Sequence, residues 1–468
     1  MNARLIKFWN DLQSSYYFIP GLMALGAILL AVLTSHIDKT LEFEISEKLG
    51  WFYSNKADGA RAILTTIAGS MMTVAAVTFS ITMVAVTSAA GQYGPRLIGN
   101  FMRDRANQVT LGTFTSTFVY CLLILRVART GDSNGVENAV SEFVPNVSLL
   151  VAMLMTMFSV GVMIYFIHHI PETLNVGNIT GKVGRKLRND IKKMFPDDIG
   201  DEENTTAPEI DSSLFKNYES FDLHAKAEGY IQAVNEEAIL NWAHDNDAIV
   251  RLYYRPGDFA IKGNALMRIW LKKGNQSGEA NKNLETPRNS FAMGQQRTAH
   301  QNILFLADEL VEILVRALSP GINDPFTAIN CINWFHSALK TMMLVKIPSP
   351  YRRDEKGDLR VIAHPVSFER FVSVICDQSR PYIAADRNAA LKMLTILTEL
   401  SAEANRKGHR EILTKQIKNL RLSVKDNPQS EFERKNLEIY FDQSERMIAN
   451  PEYYEEVLSG EGWIGGRS

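Results

Sequence analysis

From Ala62 to Ala90 the chain carries no charged residue. At 1.5 Å of rise per residue that stretch makes roughly 43 Å of helix, well beyond the roughly 20 residues a bilayer core requires. So long an uncharged helix constrains the fold more than anything else in the sequence. We read it as a tilted membrane span around which the rest of the chain is organised.

The span is unusually polar, because nine hydroxyls lie between Thr65 and Ser88. Thr66, Thr73, Ser80 and Thr87 recur every seven residues. At about 100° per residue they share roughly a third of the circumference with Gly69, Ser70, Ser88 and Gly91. Val77 and Val84 fill gaps on that face, while Thr65, Thr78 and Thr82 lie off it. Such a stripe has two uses. Small residues let helices approach and exchange hydrogen bonds, which is the commoner case, and hydroxyls can line the wetted wall of a pore.

Hydrophobic residues make up 46% of the 468 positions, yet the mean hydropathy is only -0.10. The two agree because the apolar residues concentrate in the first third. Three further spans are read there, about 18–37, 108–127 and 147–167, flanking the central one at about 62–90. Arg4, Lys7, Trp9, Tyr16 and Tyr17 suit an interfacial N-terminus, 1–17, ahead of an uncleaved first span. Basic residues before the first span, between the second and third (Arg96, Arg103, Arg105) and after the fourth (Lys182 to Lys193) place both termini in the cytoplasm.

The expected fold is a mainly α membrane protein, with a four-helix transmembrane domain at 18–171 and a mostly helical α+β cytoplasmic domain after it. Residues 172–195 form an amphipathic basic segment, with Val183, Leu187, Ile191 and Met194 opposite the lysines and arginines. It suits an anionic lipid surface at 180–195, or equally an ordinary helix packed on the soluble domain. An acidic linker at 196–220, a small α/β subdomain at 221–273, a flexible loop at 274–293, a helical domain at 294–449 and a tail at 450–468 complete the chain.

Within the helical part, a helix from Gly294 places Arg297, Gln301, Asp308 and Glu312 on the side opposite Ile303, Leu306 and Leu310. Its polar stripe, near His300, is a candidate for acid and base work or for a subunit or ligand contact. The helix ends in Ser319-Pro320-Gly321-Ile322-Asn323-Asp324-Pro325. Asp324 is placed to cap the next helix, with Pro325 at its first position.

Other classes are not supported. Fifty basic residues against 52 acidic give no global field for nucleic acid. Cys121, Cys331 and Cys376 lie far apart and are expected to be buried thiols rather than a disulfide or zinc set. No P-loop, GxGxxG, HExxH or G-x-S-x-G appears, so no cofactor, metal or enzymatic activity is expected.

The segments YGPRLIGNFMRDR, LGTFTSTFVYCLLILR, YFIHHI, YYRPGDFAIKG and QQRTAHQNILFLADELVEILVRALSPGINDPFTA together resemble the bacterial predicted membrane proteins grouped as domain of unknown function 2254. The resemblance covers nearly the full length. It implies four N-terminal spans in a bacterial inner membrane and a large cytoplasmic part, and it carries over no reaction or substrate.

The expected function is a homo-oligomeric, channel-like or transport-related protein. Its pore is lined on the second span by Thr66, Ser70, Thr73, Val77, Ser80, Val84 and Thr87, with Arg96 at the mouth and Arg297, Gln301, Asp308, Glu312, Asn323 and Asp324 as a cytoplasmic motif. The alternatives are a membrane-anchored sensor or scaffold whose stripe only packs, and a membrane-bound enzyme. The topology predicts that Glu285→Cys resists a membrane-impermeant thiol reagent on intact cells and reacts after lysis. Strong labelling from outside overturns it.

Overall fold

The structure, a computed structural model, describes residues 17–40, 57–95, 104–129, 143–195, 215, 217–272, 284–427 and 431–459. Residues 1–16, most of the linker, Arg96 and residues 460–468 lie outside the described residues. The chain divides after Asn175 into two compact units.

The first unit holds four helices long and apolar enough to cross a membrane: α1 (Phe18–Thr40), α2 (Ala57–Tyr93), α3 (Arg105–Val127) and α4 (Asn146–Leu174). They coincide with the four expected spans and extend past them at the ends. Although α2 is the longest, α3 is the centre, packing against α1, α2 and α4. In its membrane-length window 56% of residues are buried, against 22% to 28% in the other three helices. Close approach follows from small residues: Ala27 and Ala31 of α1 and Ala60, Ala68 and Ala75 of α2 are buried in the bundle. A Cβ on Gly112 would stand 2.5 Å from Met23 Sδ and 3.2 Å from Pro20 Cα, so glycine there lets α1 and α3 touch.

The second unit begins with α5 (Val176–Met194). Its apolar face is not free to enter a lipid surface, because Ile179, Val183, Leu187 and Ile191 are buried within this unit against α8 (Ile303–Ala317) and α9 (Pro325–Leu344). A Cβ on Gly184 would run into the Trp334 ring, and Arg185 lies 5.7 Å over that ring. Of the two readings of this segment, packing as an ordinary helix within its own unit describes the apolar face.

The strands are β1 (Tyr218–His224), β2 (Gly229–Val234), β3 (Ala248–Leu252), β4 (Phe259–Ala260), β5 (Ala265–Lys272), β6 (Phe291–Gly294), β7 (Tyr351–Arg353) and β8 (Leu359–Ile362). Helix α6 (Glu236–Asp245) precedes β3, and α7 (Glu285–Asn289) precedes β6. One sheet has the order β1-β5-β3-β8-β7 and the other β4-β2-β6. β8 pairs in parallel with β3, and β6 pairs antiparallel with β2. The expected separation into an α/β subdomain and a helical domain therefore does not hold: strands from both sides of residues 274–293 share the five-stranded sheet. The expected flexible loop also contains α7 and most of β6.

The remaining helices are α10 (Phe368–Ile383), α11 (Arg387–Glu403), α12 (Lys407–Lys425), α13 (Glu431–Ala449) and α14 (Pro451–Ser459). The expected tail thus begins with a helix, whose Tyr454 and Val457 bury against Met447. All three cysteines are buried and free, and burial pushes the Cys376 thiol up to about 12.

One ion cluster ties the parallel β8 to the turn before β3. Arg360, 6% exposed, donates from Nε to Asp354 Oδ2 at 2.8 Å and from Nη1 to Asp247 Oδ1 at 2.6 Å. His244 Nδ1 lies 2.9 Å from Asp354 Oδ2. The Arg360 guanidinium, with His244, holds the Asp354 carboxyl well below the usual carboxylate range, and Arg360 also lowers Asp247. Depressed carboxylates stabilise the fold above their unfolded value, about 3.9, and lose that contribution as pH falls through the folded value. The difference in melting temperature between the wild type and Arg360→Met should therefore be full at about pH 6 and narrow below about pH 4. A difference that stays constant into acid removes the ion-pair account.

Candidate functional site

The outer wall of α2 is the first candidate. Its inner face is set by Leu64, Ala68, Met71, Ala75, Thr78, Thr82, Val86 and Ala89, all buried in the membrane unit. Thr78 and Thr82, which fall off the seven-residue repeat, thus belong to the packing face. Thr66, Ser70, Thr73, Val77, Ser80, Val84 and Thr87 are all turned outward, with Val77 52% and Val84 68% exposed. Among the described residues of one chain the stripe is not a packing seam.

Its threonine hydroxyls are not left bare. Thr66 donates to the Ala62 carbonyl at 2.8 Å, Thr73 to Gly69 at 3.0 Å and Thr87 to Met83 at 2.8 Å. Each proton is used one turn back along the helix, so each oxygen presents only lone pairs to the outside.

The hydroxyls that join helices lie elsewhere, mostly on α3. Tyr120 Oη is 2.9 Å from Thr34 Oγ1 and donates to the Ser148 carbonyl at 3.1 Å, linking α1, α3 and α4. Thr117 Oγ1 meets Ser159 Oγ at 3.1 Å. At one end of the bundle, Asp38 accepts from Val147 N at 2.8 Å, Ser148 N at 3.0 Å and Ser148 Oγ at 2.6 Å, closing the free N–H groups of α4. Beside it, Arg61 donates to the Ala128 carbonyl at the end of α3 at 3.0 Å. At the other end, Asp104 caps Ala106 N at 2.9 Å and meets His169 Nε2 at 3.2 Å. The threonines of α3 were visible in the sequence, but their place at the centre of the bundle was not read from it.

The motif in the second unit comes apart. Helix α8 starts at Ile303, not at Gly294. Residues Phe291–Gly294 are committed to β2, Gln301 has a left-handed φ of 52°, and Asn302 caps the helix by accepting from Phe305 N at 3.1 Å. Arg297 and Gln301 therefore precede the helix rather than line it. Arg297 Nη1 donates to Asp308 Oδ2 at 2.6 Å, and Gln378 Nε2 donates to Asp308 Oδ1 at 3.3 Å. Gln301 bonds both backbone groups of Val234 in β2, at 2.9 and 3.2 Å. Glu312 faces Arg316 at 3.7 Å. These are anchors of a loop and its helix, and the four do not converge on one site. Among the described residues no three His, Cys, Asp or Glu side chains gather as a metal site.

The corner is built as its sequence implies. Asn323 takes φ 49°, Asp324 N donates to the Ala317 carbonyl at 2.8 Å, and the Asp324 carboxylate accepts from Thr327 N at 3.1 Å and Thr327 Oγ1 at 2.5 Å. It leaves Ile322 and Phe326 exposed. Asp324→Ala is expected to cost about 0.5–2 kcal/mol, the usual worth of such a cap, read as a lower melting temperature with unchanged membrane insertion. Unchanged melting rules the cap out as a stabilising element.

The sequence profile of a family described as "Predicted membrane protein (DUF2254)" matches residues 13–399. An uncharacterized protein of Mycobacterium tuberculosis (strain CDC 1551 / Oshkosh) is 26% identical over 343 residues, 73% of this chain and 64% of its own length. An uncharacterized protein of Mycobacterium bovis (strain ATCC BAA-935 / AF2122/97) matches to the same extent. The chain thus spans just under two thirds of the length of these relatives. No solved structure matches it. The family match takes in all four membrane helices and most of the second unit, and on that ground the chain belongs to the DUF2254 family of predicted membrane proteins.

Proposed function

We propose that the chain forms a homo-oligomeric, channel-like protein of the bacterial inner membrane, with α2 of each copy turned toward a common axis and both termini in the cytoplasm. The observation that carries this is the outward stripe of α2: its hydroxyls and glycines face away from the other described membrane helices of their own chain. Four spans without repeated halves make a small alternating-access transporter, which favours a pore shared between copies.

The chemistry of the wall narrows what could pass. With their protons bonded to Ala62, Gly69 and Met83, the hydroxyls of Thr66, Thr73 and Thr87 offer oxygen lone pairs and no donors. These three threonines suit water and cations, which are held by oxygen, and give an anion nothing to bind. No charged ring lies between Ala62 and Ala90, so selectivity among cations is weak. Val77 and Val84 interrupt the hydroxyls on the same face and can close the path by dewetting.

Outside the span, the exposed face of α5, with Lys182, Arg185, Lys186, Lys192 and Lys193, offers an electrostatic contact to anionic lipid at 180–195. With its apolar face buried, the helix contributes charge and no inserted surface. An enzymatic role is not part of this reading, because the polar residues that suggested one serve as separate anchors. The competing reading, a membrane-anchored sensor or scaffold, is favoured by the same back-bonded hydroxyls, which are also at ease against acyl chains.

Reconstituted bilayers separate the two. Val77→Ser or Val84→Ser should raise resting conductance, Leu33→Ser on the outer face of α1 should not, and Thr73→Leu and Ser80→Leu should abolish it. Thr73→Cys should cross-link between copies. Absence of conductance in every variant, together with no Thr73→Cys cross-link, replaces the channel with the scaffold.

A further inference from the structure

A groove of about 710 Å³ runs between the first half of α3 and the second half of α4. This is within the ~300–1,000 Å³ typical of ligand sites. Val109, Phe158, Gly161 and Val162 line it, and Arg105 and Tyr165 stand at one end. Phe158 and Tyr165 are well exposed, so the groove opens outward from the bundle. Its floor is kept low by Gly161, where an added Cβ would meet nothing within 4 Å.

The end marked by Arg105 is the start of α3, hence the boundary of the apolar layer rather than its middle. Among the described residues no carboxylate pairs with the Arg105 guanidinium. Its neighbour Asp104 is turned to Ala106 N and to His169, whose ring stacks on Tyr165 at 5.4 Å between centroids. The adjacent His168, which is exposed, faces Glu172 at 3.5 Å. The site is therefore an apolar trough with an uncommitted cation at its interfacial end.

We propose that this groove holds one anionic glycerophospholipid, with its phosphate on Arg105 and an acyl chain laid along Gly161 toward Phe158. The surroundings of these two helices supply the ligand, since both are membrane spans. Arginine is suited to the head because its planar fork matches phosphate oxygens. The trough suits a chain because neither wall presents an unsatisfied backbone group along its helical length. The proposal stands apart from the channel reading, as α2 contributes nothing to the groove.

The test uses the full chain in vesicles of mixed phosphatidylglycerol and phosphatidylcholine, one lipid at a time carrying a photoreactive diazirine on its acyl chain, with labelled peptides mapped by mass spectrometry. Phosphatidylglycerol should label the peptide around Phe158 and Gly161 above the outer face of α1 at Leu22 and Leu25. Arg105→Gln should lower that labelling about fivefold, the worth of one basic contact to an anionic surface, and leave labelling by phosphatidylcholine unchanged. Gly161→Leu, whose Cβ enters open space, fills the trough and should remove it for both lipids. Lys186→Gln on α5 should leave it intact. Equal labelling by the two lipids with no response to Arg105→Gln makes the groove an ordinary lipid contact and overturns the proposal. So does a loss with Lys186→Gln alone, or a Phe158→Cys cross-link between copies, which gives the groove to a second chain.

Discussion

Tyr120 shows what the membrane unit depends on. Its hydroxyl, fully buried, reaches Thr34 on α1 and the backbone of Ser148 on α4, so one side chain of α3 fixes the two helices beside it. In a hydrocarbon surrounding, a polar group without a partner costs several kcal/mol, while a satisfied interhelical hydrogen bond gains only about 0.6 kcal/mol on average. The bonds of Tyr120, Thr117, Asp38 and Arg61 therefore add little drive to assembly. They act by making other arrangements expensive. A rotated α3 would strand these groups in apolar surroundings, and that asymmetry selects one packing of four otherwise greasy helices.

The same constraint divides the hydroxyls into two populations. Tyr120 and Thr117 of α3 face inward and bridge helices, whereas Thr66, Thr73 and Thr87 of α2 face outward and bond back to their own backbone. In the second unit the order is set by burial instead. Leu187 and Ile191 of α5 are completely covered, Trp334 closes over Gly184, and the parallel pairing of β8 with β3 brings in a strand more than 100 residues away in sequence, held by Arg360.

Legibility in the sequence followed the range of the interaction. The four spans were readable because length and hydropathy are local properties, and the stripe of α2 was readable because a seven-residue repeat is written in the sequence, but which way it faces was left open between packing and pore. The Asp324 corner was readable because capping involves four adjacent residues. What failed was non-local. Arg297 and Asp308, eleven residues apart, are about three helical turns apart in phase, so a continuous helix and the actual loop-to-helix ion pair both bring them to one side. Only the pairing of Phe291–Gly294 with β2, and the hold of Gln301 on Val234, decide between them, and neither partner is near in sequence. The centrality of α3 was hidden for a related reason: its threonines mark a polar span, but the three neighbours that cover them are not near in sequence.

Back-bonded hydroxyls also bear on how copies of the chain would meet. A stripe of unsatisfied donors would force association, because the lone protomer would carry that cost into the lipid. On α2 the threonine donors of the stripe are already spent at Ala62, Gly69 and Met83, so a lone protomer carries only the serine donors into a bilayer. What association could add is close contact at Gly69 and Gly91, where an added Cβ would meet nothing in the protomer, and hydration of oxygens that lipid leaves unsolvated. Neither term is large, since packing between membrane helices gains no hydrophobic drive. An assembly through this face would thus rest on many small contacts along a 37-residue helix. It would dissociate and re-form with protein density in the membrane, and its open path would exist only while enough copies surround the axis.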